Sequence, residues 1–310
     1  MNNTLHIPVL KEEATKFLIT DVNGIYVDAT LGYGGHTLSI LDNTSDNSKV
    51  FAIDKDIDAI IYNKSRISNE ERRLTLKHGC FSSLDDYAKE WNVYGSVDGI
   101  LFDLGVSSVH LDNADRGFSF NKNSALDMRF DRSNGKPLSE YINTLSESEI
   151  EKILRLYGQE KFAKRIAKNI IKFRKNKEIT TTFELVDIIN KSVLVNEKNK
   201  HNATRSFQAL RIFINNELDV LRDILNKSYG ILSSNGRLVL ITYHSLEERI
   251  IKDFMIYTDK KSSLPRKLPI KDEFMKKMFN LVKKVKPQDQ EIKINPRSRS
   301  ARMSILEKVA

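Results

Sequence analysis

Three acids stand where apolar runs stop: Asp28 closes "IYVD", Asp54 closes "KVFAID" and Asp103 closes "ILFD". Between the first acid and a helical "HTLSILDN" lie Gly32, Gly34 and Gly35. A carboxylate at a strand end can accept hydrogen bonds from hydroxyls or amines, and it repels phosphate. The glycines let a ligand approach the backbone. A phosphate-cradling loop of the G-x-x-x-x-G-K-[ST] type needs a lysine that this segment lacks. A dinucleotide fold wants a third glycine where Thr37 stands, but its ribose-binding acid, about 20 residues on, is present as Asp54. That carboxylate suits the ribose of a nicotinamide or an adenosyl cofactor alike. Asp28 suits a cationic sulfonium amino acid and would repel a pyrophosphate. Asp103 is expected to face the same crevice. The three acids together favour S-adenosylmethionine, with a nicotinamide-dependent oxidoreductase and a non-catalytic RNA-binding protein as the alternatives.

Elements in alternation must carry these residues. "GIYVDAT" (24–30), "KVFAID" (49–54), "DGILFDLGV" (98–106) and "GRLVLITYHSL" (236–246) read as buried strands separated by helical stretches, the pattern of a parallel sheet covered on both faces. "ATRSFQALRIFINNELDVLRDIL" (203–225) has apolar residues three or four apart and reads as one long sheet-covering helix. "FNLVKKV" and "ARMSILEKV" read as a last pair of strands joined by the basic loop "NPRSRS". Between about 137 and 200 there is no convincing strand, and Ser146 with Glu149 has capping-box spacing. The expected architecture is α/β: a discontinuous sheet domain, 1–136 and 201–310, interrupted by a helical insertion, 137–200.

The formal charge of +9 is unevenly placed, with a Lys/Arg surplus in 151–180 and in 259–302 and a net acidic remainder. In the first region Lys161, Lys164, Arg165, Lys168 and Lys172 share one helical face, and Phe162, Ile166 and Ile170 share the other. Arg297, Arg299 and Arg302 crowd the C-terminal "NPRSRSAR". Such regions fit a polyanion, because each neutralised phosphate releases counterions. A single cysteine, Cys80, excludes an intrachain disulfide and a Cys-held zinc, and points to a reducing cytoplasm. No His pair has metal-ligand spacing, so no catalytic metal is expected. No signal peptide or membrane-spanning run is legible, and no membrane role is expected.

Beyond these features, "HIPVLKEEA", "DATLGYGGHT", "DGILFDLGVSS", "LDNADRGFSF", "LDMRFD", "GQEKFAKRIAKNI", "ATRSFQALRIFINNEL", "YHSLEERIIK" and "NPRSRSA" occur in the order seen in the RsmH (MraW) family, from about residue 6 to 306. The chain resembles these bacterial enzymes, which methylate N4 of a cytidine in small-subunit ribosomal RNA. The resemblance implies a class I S-adenosylmethionine-dependent methyltransferase (Rossmann-like) fold with an inserted all-helical subdomain for substrate recognition. It implies a cytoplasmic enzyme acting on ribosomal RNA, within the small subunit or an assembly intermediate. Carried over motif by motif, cofactor contacts fall on Gly34, Gly35, His36, Asp54, Phe81 and Asp103, and on His110, where the family commonly has Gln.

Cytosine N4 is a poor nucleophile, because its lone pair is delocalised into the ring. Transfer to it needs acceptors for the amine protons and close in-line placement. The Asp/Asn-Pro-Pro-aromatic loop of many amino-methyltransferases is missing, and "DLGVSS" fills its slot. Asp103 and the Leu104 carbonyl are the candidate acceptors. Tyr243 and His244 are candidates to stack on or orient the base. Methylation at cytosine C5 would need a cysteine nucleophile, and Cys80 lies away from the Asp103 loop.

Overall fold

The computed structural model describes residues 8–67, 71–106, 114–195, 201–258 and 277–310. The chain divides into two compact units, Met1–Gly105 with Leu218–Ala310, and Val106–Glu217.

The first unit is built on a seven-stranded sheet. Its strands are β1 (Ile25–Asp28), β2 (Lys49–Asp54), β3 (Leu74–His78), β4 (Val97–Asp103), β5 (Leu232–Thr242), β6 (Phe279–Val285) and β7 (Arg302–Lys308), in the order β3-β2-β1-β4-β5-β7-β6. The first five run parallel, and β7 is antiparallel to both of its neighbours. The apolar runs of β1, β2, β4 and β5 are buried because helices cover parallel strands on both faces. Connecting helices are α1 (Lys11–Leu18), α2 (Gly35–Asp42), α3 (Ile57–Arg66) and α4 (Leu84–Glu90). The core on one side joins Leu18, Tyr26, Ile40, Val50, Leu101, Val239 and Met303.

β3 is absent from the sequence reading. It is an edge strand whose residues are only partly covered, so "LTLKH" carries no apolar run. The segment between the last two strands also differs from the basic loop expected there. It holds a short helix, Asp289–Ile294, and a 3-10 turn, Pro296–Ser300, opened by the Asn295 side chain accepting from Arg297 N–H.

The second unit is helical: α5 (Leu138–Thr144), α6 (Glu147–Gly158), α7 (Ala163–Arg174), α8 (Thr182–Ser192) and α9 (Ala203–Asn215). Ser146 opens α6 with the capping box anticipated from its spacing, and Thr181 with Glu184 forms another on α8. Against burial, which would raise it, Lys177 and the N–H groups of Thr180 and Thr181 hold the Glu184 carboxyl down to about 2. At the α6–α9 crossing, a Cβ on Gly158 would lie 2.5 Å from the Arg205 carbonyl oxygen, so the helices meet backbone to backbone.

The long helix read over 203–225 is two helices. Asn216, at φ 52°, breaks it, and α10 (Glu217–Ile231) follows. Asn is among the few residues that visit the left-handed region readily, and the three-or-four spacing of Leu and Phe runs through it undisturbed. The first piece packs Phe207 and Leu210 into the helical unit's own core, and the second, from Leu218 on, belongs to the sheet unit. The helical unit therefore reaches to Val106 and Glu217, beyond the bounds 137–200.

Candidate active site

β1 pairs with β2 on one side and β4 on the other, and the chain reverses direction across the sheet there. Ligands of open α/β sheets bind at the carboxyl ends of strands at such a switch point. Asp28 pairs with Ala52 of β2 and Leu101 of β4, so Asp54 and Asp103 reach past it along the same edge.

The glycine bend is fastened from three directions. Gly34 is the N-cap of α2, with φ 75°. Asn63 of α3, fully buried, donates to the Gly32 carbonyl at 2.8 Å. Asp54 Oδ2 accepts the Gly32 N–H at 2.7 Å, and Oδ1 accepts the Asp56 N–H at 2.8 Å. Asp28 is fully buried, with Oδ2 accepting from the Thr37 hydroxyl at 2.6 Å and Oδ1 from the Thr30 N–H at 3.1 Å. Burial pushes its carboxyl above the usual range, against the nearby His36 and the Thr37 bond. Asp28 thus clamps the bend from behind and does not line the crevice as expected. Thr37, standing where a dinucleotide fold has glycine, is the partner that makes this clamp.

Asp103 is the acid that the structure surrounds. Its backbone N–H donates to Thr30 Oγ1 at 2.7 Å, and its Oδ1 accepts from the Tyr243 hydroxyl at 2.7 Å. His36 Nε2 lies 3.7 Å from Oδ2, too far for a hydrogen bond. Among the described residues neither His36 ring nitrogen has a hydrogen-bond partner, although the residue is only 5% exposed. Burial first, and then the Asp103 carboxylate, push the Tyr243 phenol well above its ordinary range, so it stays a donor.

The other candidates divide. Phe81 opens a 3-10 turn, Phe81–Ser83, and meets Phe102 of β4 edge to face at 5.2 Å. Lys227 of α10 donates to the Ser82 carbonyl at 2.7 Å and steadies that turn. His244 stands at the start of α11 (Ser245–Thr258), where its Nδ1 accepts the Glu247 N–H and buried Glu247 accepts the N–H groups of Tyr243 and His244. Its ring is engaged at the helix terminus, and of the pair only Tyr243 is bonded to Asp103. His110 lies outside the described residues. Gly35, first residue of α2, packs so closely on Pro8 that a Cβ would lie 2.2 Å from the proline ring. Thr30, Asn63 and Glu247 escaped the sequence reading, since a polar residue near a strand end carries no pattern of its own.

Lys164, Arg165, Lys168 and Lys172 are exposed along α7, with exposed Lys161 just before it, while Ala163, Ile166, Ala167 and Ile170 are fully buried. Arg297 and Arg299 are exposed on the C-terminal turn. Arg302 is partly buried in β7 and bonds the Ala301 carbonyl.

This donor set suits a ligand that is cationic and rich in hydroxyls: carboxylates at two strand ends, a buried imidazole, and no lysine in the bend. A sheet of this order, with glycine bend and acids at the β1/β4 switch, defines a class I S-adenosylmethionine-dependent methyltransferase. The model of the MraW methylase family matches residues 3–309. Relatives described as ribosomal RNA small subunit methyltransferase H are 46% identical in Legionella pneumophila (strain Corby) and 44% in Caldicellulosiruptor saccharolyticus. Each alignment runs over 306 residues, 98% of this chain and 99% of the relative. Among solved structures, a putative rRNA-methylase from Clostridium thermocellum aligns at 12% identity and TM-score 0.45, covering 97% of this chain and 93% of its own. The chain belongs to the MraW methylase family.

Asp54→Ala is expected to weaken S-adenosylmethionine binding by about 1.5–3 kcal/mol, the worth of hydrogen bonds to a charged group. The bend also loses its bond to Gly32, so Asp54→Asn, which keeps one acceptor, should fall between the two. Calorimetry giving parental affinity for the alanine variant would remove Asp54 from the site.

Proposed function

We propose that this enzyme methylates N4 of a cytidine in small-subunit ribosomal RNA, in the cytoplasm, on the subunit or an assembly intermediate. The observation that carries this reading is near-complete alignment at 44–46% identity with relatives bearing that rRNA name. Bound S-adenosylmethionine supplies an electrophilic methyl group on a sulfonium. The chain supplies the rest. Asp54 accepts ribose hydroxyls while holding the bend. Asp103 accepts a proton of the target amine, which frees the nitrogen lone pair. Tyr243, donating to the other Asp103 oxygen, holds that carboxylate in one orientation. Gly34, Gly35, His36 and Phe81 wall the cofactor. Mass spectrometry of ribosomal RNA nucleosides, from cells with and without the gene, tests the reading. Unchanged N4-methylcytidine would sink it. No helix among the described residues is long and apolar enough to cross a membrane.

The α7 stripe is the candidate RNA grip in the helical unit. Replacing Lys164, Lys168 and Lys172 by Gln should flatten the slope of log affinity against log salt by about two units, at about 0.7 per single-strand phosphate contact. Choice of site should survive, because phosphate contacts position a substrate without reading bases. Filter binding across a salt series decides it, and a parental slope would make the stripe plain solvated surface.

A further inference from the structure

The surface beside the glycine bend carries aromatic rings and cations, with exposed Asp58 at the start of the same helix, and nothing in the proposed mechanism uses it. α3 buries Ala59, Ile60 and Asn63, while its outer face leaves Ile57 42%, Ile61 59% and Tyr62 42% exposed. Tyr33, which sits in the bend between Gly32 and Gly34, meets Tyr62 edge-on, with ring centroids 4.9 Å apart at 74°. Arg66 Nη1 donates to the Tyr33 carbonyl at 2.9 Å, and its guanidinium lies 5.9 Å from the Tyr62 ring centroid. The guanidinium is thus anchored by a neutral backbone oxygen. Lys64 is exposed on the same turn.

A base whose exocyclic amine is to react must leave its stack, so its neighbours are presented as single strand. Single strands are held by aromatic faces that accept any base, together with cations that follow the backbone. An arginine tethered beside a half-exposed tyrosine offers both. A two-fold contact between copies of the chain would bring Lys64 and Arg66 towards the same cations of the other copy, so charge favours a polyanion.

We infer that Tyr33, Tyr62 and Arg66 form a stacking platform for an unpaired nucleotide of the RNA substrate, next to the cofactor bend. The inference rests on the ribosomal RNA reading above. It adds a second point of RNA contact, in the sheet unit and separate from the α7 stripe.

The test measures binding of a small-subunit ribosomal RNA fragment by fluorescence anisotropy across a salt series, with S-adenosylmethionine affinity by calorimetry and mass by light scattering. Tyr62→Ala should weaken RNA binding about five- to a hundredfold, the range for losing one stacked base. Tyr62→Phe, which keeps the ring, should stay within about twofold, and Arg66→Gln should lower the salt slope by about 0.7. Cofactor affinity should hold in all three. Parental RNA affinity in Tyr62→Ala, in a protein whose parent methylates the RNA, overturns the platform alone. Equal losses of RNA and cofactor binding would also overturn it, by showing a collapsed bend. So would a changed mass with unchanged RNA affinity, by showing a contact between copies. A parent that neither binds nor methylates ribosomal RNA removes the functional reading itself.

Discussion

Replacing Asp103 by Ala should lower the rate of methyl transfer about 10²–10⁴-fold, the span ordinarily contributed by a positioned proton acceptor. The carboxylate is one that the fold has gone to some trouble to orient: Thr30 holds its backbone and Tyr243 holds one oxygen, which leaves the other towards His36. Asp103→Asn retains the shape and an acceptor for Tyr243, yet it cannot take a proton, and its rate should be nearly as low. Tyr243→Phe tests the supporting bond separately. A hydrogen bond to a charged group is worth about 1.5–3 kcal/mol, so a loss of about 10- to 100-fold is expected. The Tyr243 phenol is held well above its ordinary range, so its donor should be intact across the whole working pH span. Single-turnover rates with saturating cofactor and RNA read these effects, and thermal melts check that the variants fold. Parental turnover in Asp103→Ala would take the residue out of the site.

Gly34→Ala should reduce S-adenosylmethionine affinity by more than about a hundredfold. Two costs add. The residue sits at φ 75°, where a side chain costs about 1–2 kcal/mol. Its new Cβ would also lie 2.1 Å from Asn63 Oδ1. Asn63 cannot yield cheaply, because it is fully buried and its amide is already bonded to the Gly32 and Ala59 carbonyls at 2.8 Å each. Gly135 gives the control: it too is left-handed, at φ 69°, but a Cβ there meets nothing within 4 Å. Gly135→Ala should therefore show the backbone cost in a melt and leave cofactor binding alone. Calorimetric affinity of Gly34→Ala within a few-fold of the parent would mean the bend has more slack than its contacts allow.

What could be read from residue order was whatever repeats or stops visibly. β1, β2 and β4 announce themselves as apolar runs, and the acids that end them mark the carboxyl edge of the sheet. The capping box at Ser146 is legible because it is local. Edge strand β3 is not legible, because partial exposure removes the apolar run that marks a buried strand. The break at Asn216 is not legible either, because a single left-handed residue leaves the helical period intact on both sides. The role of Asp28 could not be read at all: an acid facing a ligand and an acid clamped by Thr30 and Thr37 look the same in a string. The bond between Asp103 and Tyr243 joins residues far apart in the chain and depends on β4 and β5 lying side by side, which strand patterns alone do not establish.

That adjacency of β4 and β5 bears on how the protein comes to exist. β4 ends at Asp103, and its partner β5 begins only at Leu232, after the whole of Val106–Glu217 has been synthesised. During translation the half-sheet β3-β2-β1-β4 must wait with the inner edge of β4 unpaired, the kind of edge that invites wrong pairing. The intervening helical unit has its own core, in which the α6–α9 crossing joins distant parts of its segment, so it is suited to fold as a unit during that wait and bring those parts together. Sheet closure through β5, and then the antiparallel β7, becomes the late, slow step. The crevice between β1 and β4 is flanked by that closure, so competence to bind the cofactor should emerge with the last native phase of refolding and not with the bulk of the helical signal.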